Sequence, residues 1–151
     1  MKRRAVTRRS FVATSLAIAL APLRARATPE AMQAALLAVT GGAPLREGRV
    51  TLDLPPLVDN GNSVPLSVSV DSPMTAADHV RAIHIFNQKN PQPDVLTCHM
   101  GPRCGRAFVT TRIKLADTQV ITAVAAMSDG TFHVARADVI VTIAACLEDP
   151  A

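Results

Sequence analysis

The chain is 151 residues long and carries 16 Lys and Arg against 12 Asp and Glu, with no Trp or Tyr and only four Phe. Seven of the basic residues (Lys2, Arg3, Arg4, Arg8, Arg9, Arg24 and Arg26) and none of the acids lie in the first 27, so residues 28–151 keep nine basic residues against all twelve acids, a net charge of −3. The basic excess is confined to the start of the chain, and the remainder gives no charge argument for a nucleic acid or an anionic membrane as partner.

Thr7-Arg8-Arg9-Ser10-Phe11-Val12 is a twin-arginine pattern, followed by an apolar run over 12–23 and by Ala25-Arg26-Ala27, an A-x-A cleavage site. The run is shorter than the ~20 apolar residues that span a bilayer. A basic nucleic-acid-binding arm has no use for an apolar stretch ending at a cleavage site. Residues 1–27 are therefore expected to be a twin-arginine signal peptide and the mature chain to be periplasmic. Residues 28–151 have the size of one domain. Their aromatics are Phe86, Phe108 and Phe132, so the core must come from Val, Ile, Leu and Ala.

A helix opens the mature chain. Thr28 caps it, Pro29 suits its first position, Glu30 favours the positive end of its dipole and Gly41-Gly42 stops it. Met32, Leu36 and Leu37 form its apolar stripe. Strands are expected after Gly48. Residues 49–54 alternate (Val50, Leu52, Leu54 on one face), as do 63–70 (Val64, Leu66, Val68, Val70), with Asp59-Asn60-Gly61 as a turn between them. Residues 80–86 place Val80, Ala82 or Ile83, Ile85 and Phe86 in a strand, and Lys89-Asn90-Pro91-Gln92-Pro93 is a loop. Strands over 95–100, 107–115, 120–127 and 132–143 complete the set, with Asp129-Gly130 as a tight hairpin between the last two. Seven or eight short strands with turns about every ten residues predict an all-β, immunoglobulin-like antiparallel sandwich with a short N-terminal helix. The expected organisation is a signal over 1–27, one sandwich over 28–143 and a C-terminal arm over 144–151.

Three cysteines in an exported chain leave at least one unpaired. Cys98 and Cys104 flank a turn-capable segment that can bring their Cα atoms within the ~5.5–6 Å of a disulfide, and the alternative is two reduced thiols. A metal reading adds His99, but the spacing fits no standard zinc knuckle and lacks a fourth ligand. No metal is expected; His79, His84 and His133 are scattered. Cys146 lies just past the apolar run 139–145, beyond the last strand, and three residues after Ile143 reach at most ~10 Å. A free thiol with an ordinary pKa of ~8.5 there is placed to visit another protein's active site.

The chain resembles the SoxY family, sulfur-carrier subunits of the periplasmic thiosulfate-oxidising system. The resemblance is carried by Val50-Thr51-Leu52-Asp53-Leu54-Pro55, Asp59-Asn60-Gly61-Asn62-Ser63-Val64-Pro65 and Val70-Asp71-Ser72-Pro73-Met74-Thr75. Further blocks are Asp78-His79-Val80 with Ile83-His84, Lys89-Asn90-Pro91, the run from Thr111 to Gln119, and Ala125-Ala126-Met127-Ser128-Asp129-Gly130. It implies a sandwich paired with a SoxZ-like protein and a substrate-carrying cysteine within a Gly-Gly-Cys-Gly-Gly arm, a position that Cys146 matches. A SoxAX-like cytochrome would couple thiosulfate to the thiol, a SoxB-like enzyme would release sulfate, and a SoxCD-like enzyme would oxidise the remaining sulfur where it takes part. The carrier itself would catalyse none of these steps and need no cofactor.

The arm departs from that pattern. It reads Ala144-Ala145-Cys146-Leu147-Glu148 with Asp149-Pro150-Ala151 appended, without any of the four glycines. Glycine is narrow and conformationally free, whereas Leu147 and Glu148 add bulk, and two acids beside Cys146 raise its pKa. Cys98 and Cys104 depart from the family pattern as well. The sequence thus supports two functions from different classes: a covalent sulfur carrier loaded on Cys146, or a SoxY-like binding or scaffold protein that no longer carries sulfur.

Overall fold

A computed structural model describes residues 28–145. The expected signal over 1–27, and Cys146 with the rest of the arm, lie outside the described residues.

Helix α1 (Pro29–Thr40) begins and ends where its capping chemistry dictates. Thr28 is extended and its Oγ1 accepts a hydrogen bond from the Ala31 N–H at 3.2 Å, satisfying one of the orphan donors of the first turn. Gly41 turns left-handed at φ 61° and its N–H returns to the Leu37 carbonyl at 2.8 Å. Met32 and Leu36 are buried, flanked by partly buried Ala35 and Val39. Leu37, expected on the same stripe, is 50 % exposed. The helix is rotated so that the sheet receives positions 32, 35, 36 and 39, and Leu37 falls just outside that arc.

The strands are β1 (Leu45–Arg46), β2 (Val50–Asp53), β3 (Leu57–Asn60), β4 (Val64–Val70), β5 (Val80–Asn87), β6 (Asp94–His99), β7 (Phe108–Ile113), β8 (Gln119–Met127) and β9 (Phe132–Ile143). A 3-10 turn, η1 (Pro102–Cys104), joins β6 to β7. The smaller sheet has the order β2-β4-β7, all antiparallel. The larger has the order β1-β9-β8-β5-β6, and β3 also pairs with β9. The predicted all-β sandwich with a short N-terminal helix is the fold. Two short strands are not legible in the sequence, and both run parallel to β9: Leu45 lies opposite Phe132, and Leu57 opposite Ile140. Asp59 and Asn60, expected in a turn, end β3, and the turn itself begins at Gly61.

The core has two compartments. Between the sheets, Val64, Leu66 and Val68 of β4 meet Ile83 and Ile85 of β5 and Ile121, Ala123 and Ala125 of β8. Between the larger sheet and α1, Phe86 packs with Ala82, Val124, Val134, Met32 and Leu36. Strands β5 and β8 are thus covered on both faces. The register of β5 against β8 shifts between Val80 and Ala82, so Val80 and Ile83 face the inter-sheet core while Ala82 faces the helix. Both candidates at that point of the sequence are buried, on opposite faces. Among the described residues no helix is long and apolar enough to cross a membrane.

Two histidines are held below the ordinary imidazole range. Burial is the main cause at His84, whose ring stacks on Phe86 with centroids 6.3 Å apart and whose Nδ1 lies 3.0 Å from the Thr97 hydroxyl. Burial again leads at His133, helped by Arg49 and Arg46, and its buried Nδ1 has no hydrogen-bond partner among the described residues.

A group whose pKa is lower folded than unfolded takes up its proton more readily when unfolded, so its contribution to stability is present above the unfolded value of ~6.5 and is lost as pH falls. The melting temperature should therefore fall between pH 7 and pH 5, and His84→Gln should reduce that fall in a thermal scan. Phe86→Ala should cost about 3–5 kcal/mol in urea unfolding, because the cavity it leaves is walled by the helix and the sheet. Leu37→Ser should stay within about 0.5 kcal/mol.

Candidate functional site

The C-terminal arm leaves the body at the end of β9, and the backbone there is closed into a ring. The Gly61 N–H donates to the Ile143 carbonyl at 2.8 Å, the Leu115 N–H donates to the Gly61 carbonyl at 2.8 Å, and the Ala145 N–H donates to the Leu115 carbonyl at 2.9 Å. One residue earlier in the pairing, Asn60 lies opposite Ile143, so β3 delivers Gly61 to this point. The Val141 N–H donates to the Thr118 hydroxyl at 3.0 Å, so the 114–118 loop also caps β9 where its pairing with β8 has ended. Gly61 is needed for space. A Cβ there would collide with the Leu115 carbonyl oxygen, and would sit 3.0 Å from the Ala145 nitrogen and 3.1 Å from a Val141 methyl.

The loop that offers Leu115 is held by a polar cluster. Asn90 Nδ2 donates to the Lys114 carbonyl at 2.7 Å, and Asn90 Oδ1 accepts from the Ala116 N–H at 3.0 Å and from Gln119 Nε2 at 3.0 Å. Gln119, 5 % exposed, accepts on Oε1 from the N–H groups of Gln88 and Lys89. Buried Asn87 accepts from the Asn90 N–H through Oδ1 and donates to the Gln92 carbonyl through Nδ2. On the surface, Lys89 Nζ lies 2.9 Å from Asp117 Oδ2. That hydrogen bond, followed by the Thr118 N–H, holds the Asp117 carboxyl below the usual carboxylate range. Exposed on both sides, the pair adds little stability of its own.

Cys98 and Cys104, the candidate disulfide, are both free thiols in the structure. Cys98 on β6 lies opposite Ile83, and Leu96, two residues before it, packs on the inter-sheet core. Cys98 therefore points toward that core, while Cys104 is exposed at the end of η1, where its sulfur accepts from the Gly101 N–H at 3.5 Å. The turn between them closes on its own backbone, with the Cys104 N–H donating to the Gly101 carbonyl at 2.9 Å. His99 is exposed beside them, and His79 Nδ1 lies 3.0 Å from the Thr75 carbonyl oxygen. Among the described residues, no group of three or more His, Cys, Asp or Glu could hold a metal ion.

Cys146 itself lies outside the described residues, but the residue before it is fixed by a hydrogen bond to the body. The sequence allows three free peptide links from Ile143 to the thiol-bearing residue. The structure leaves one peptide link beyond the anchored Ala145, or about 3.8 Å between Cα atoms. Asn90, Gln119 and Gly61 read in the sequence as loop or turn residues and not as parts of a site. The available signal is that each sits within one of the sequence blocks carrying the family resemblance.

The family described as sulfur oxidation protein SoxY matches residues 36–146. The structure is similar to that of the sulfur carrier protein SoxY from Chlorobium limicola f thiosulfatophilum, with a TM-score of 0.64 and 26 % identity over 77 % of this chain and 100 % of that one. It also shares its fold with the superoxide reductase (neelaredoxin) from Ignicoccus hospitalis, with a TM-score of 0.56 and 21 % identity over 62 % of this chain and 80 % of that one. A putative superoxide reductase from Thermotoga maritima gives a TM-score of 0.53 and 21 % identity over 65 % and 87 % of the two chains. No curated protein sequence matches. The match spans most of the chain and runs to Cys146, and the chain belongs to the SoxY family of sulfur oxidation proteins.

Proposed function

We propose that the mature protein is a covalent sulfur carrier of thiosulfate oxidation, exported by the twin-arginine pathway to the periplasm and loaded on Cys146. The observation that carries the reading is the position of this thiol. It comes directly after Ala145, which is tied to the rim of a sandwich whose family and structural relative are sulfur-oxidation proteins. A thiol at such an edge can enter another protein's active site while the body stays outside. The protein presents its cargo and leaves the chemistry to partners. A SoxZ-like subunit forms the heterodimer. A SoxAX-like cytochrome takes the electrons when thiosulfate is joined to the Cys146 sulfur, a SoxB-like enzyme hydrolyses off sulfate, and a SoxCD-like enzyme acts on the sulfane sulfur where it takes part.

The atypical arm has a chemical consequence. Glu148 and Asp149 lie two and three residues from Cys146, and their negative charge disfavours the thiolate. Loading should therefore be displaced to higher pH than for an arm of glycines, rising as pH increases toward the thiol pKa.

Incubating the mature chain and a SoxZ-like partner with thiosulfate and the matching cytochrome should add a thiosulfonate mass to Cys146, read by intact and peptide mass spectrometry. No adduct, or an undiminished adduct on Cys146→Ala, would sink the proposal. Replacing Ala144, Ala145, Leu147 and Glu148 together by Gly should move loading to lower pH and leave the final yield of adduct nearly unchanged. An arm that takes up sulfur only after this replacement would assign the protein instead to a binding or scaffold role.

A further inference from the structure

Three stretches that the sequence singles out, around Gly61, around Asn90 and from Thr111 to Gln119, are far apart in the chain and meet at the root of the arm. We propose that Asn90 is a positioning residue for the carrier thiol, acting through the Leu115 peptide groups that hold Ala145, with Gly61 as the close-contact position that lets the segments meet. The inference rests on Cys146 being the carrier site.

One side chain grips the backbone on either side of a single residue. Asn90 donates to the carbonyl of Lys114 and accepts from the N–H of Ala116, so it brackets Leu115. Both partners are backbone groups whose donor or acceptor role is fixed, and this sets the orientation of the amide. Leu115 is fully buried. Its own N–H and carbonyl go outside its loop, to Gly61 and to Ala145 respectively. If Asn90 only stapled one loop to another, the bracketed residue would have no reason to commit both its peptide groups to the strand end and the arm.

The chemistry of the position is specific. A carboxylate in place of the amide lacks the donor for the Lys114 carbonyl, and a serine is too short to reach both partners. Gln119 supports the same oxygen of Asn90 and is held by two backbone N–H groups of the Asn90 loop. The loop, the side chain and the arm root therefore move as one unit. Ala145, the last described residue before the carrier thiol, is thus held to the rim by an amide side chain that acts from a distance through the Leu115 peptide groups.

Amide hydrogen exchange of the full mature chain, followed by NMR, tests this directly. In the wild type the Ala145 amide should exchange at least roughly tenfold more slowly than in an unstructured peptide, as expected for one stable hydrogen bond. Asn90→Ala should raise the Ala145 and Leu115 rates by about tenfold while the Val124 and Val134 amides of β8 and β9 keep theirs. Gly61→Ala should do the same. A nitroxide on Cys146, with Cys98→Ser and Cys104→Ser to direct the label, should give a broadened spectrum in the wild type and a narrow one in either variant. Should Asn90→Ala fail to fold, Asn90→Ser is read in the same way. A wild-type Ala145 amide exchanging like a free peptide would overturn the proposal. So would an Asn90 variant that leaves Ala145 and the label unchanged, or one in which all amides accelerate together. A chain that never takes up sulfur would leave these rates as they are, so failure of the carrier reading and failure of the anchor are seen separately.

Discussion

A backbone polar group withdrawn from water must find a partner. At the C-terminal end of β9 that requirement is met by segments from two distant parts of the sequence, 57–61 and 114–118. Strand β9 outlasts its partner β8 by four residues, since the last pair joins Gln119 to Val139 and β9 runs to Ile143. Those residues would expose their peptide groups on both sides. On one side, β3 supplies a short parallel ladder and then Gly61. On the other, Thr118 and Leu115 take over where the hairpin partner has ended. Because backbone meets backbone there, no side chain can intrude, and a glycine is required although its dihedral angles are ordinary.

The face of the larger sheet under the helix is organised differently. There the helix covers Phe86, Phe132 and Val134, and stability comes from apolar area removed from water. At the arm end, hydrogen bonds between loops dominate, and they contribute direction more than free energy. Strands β5 and β8 link the two compartments, because each is packed on both faces and neither can shift without disturbing both. The small side chains of Ala123, Ala125 and Ala126 let β8 occupy this middle position, with a sheet on one side and a helix on the other.

Much of this was legible in the sequence, and the successes share a cause. The helix was readable because caps act within one turn: Thr28, Pro29 and Gly41 each mark a local conformation. Strands β2, β4 and β9 were readable because alternation at Val50 and Leu52, or at Val64, Leu66 and Val68, is local as well. Strand β1 is two residues long, too short to alternate, and β3 comes after Pro55-Pro56 and reads as part of a turn. Leu36 and Leu37 both fit a helical stripe, and only the rotation of the helix on the sheet distinguishes them. The site was half visible. Cys146 stood out by its place at the chain end and by family resemblance, whereas the role of Asn90 depends on hydrogen bonds to residues 24–29 positions away. No local pattern announces such a bond. Cys98 and Cys104 were close enough in sequence for a bridge, but the pleat of β6 turns one inward and leaves the other in solvent.

The edge of β9 carries a different implication, for self-association. Opposite β8, this edge is shielded twice, by β1 at Phe132 and His133 and by β3 from Ile140 onward. The interval between them presents Arg136 and Asp138, both exposed, and Arg136 also reaches Glu47 at 3.9 Å. Charges on an otherwise open strand edge discourage the strand of a neighbouring molecule from adding on. The strand that bears the arm is thus protected against zipping to a second copy of itself. Among the described residues, the long outer edge of the larger sheet is β6, on the side away from β9, and on the other side the outer edge is made only by the short strands β1 and β3.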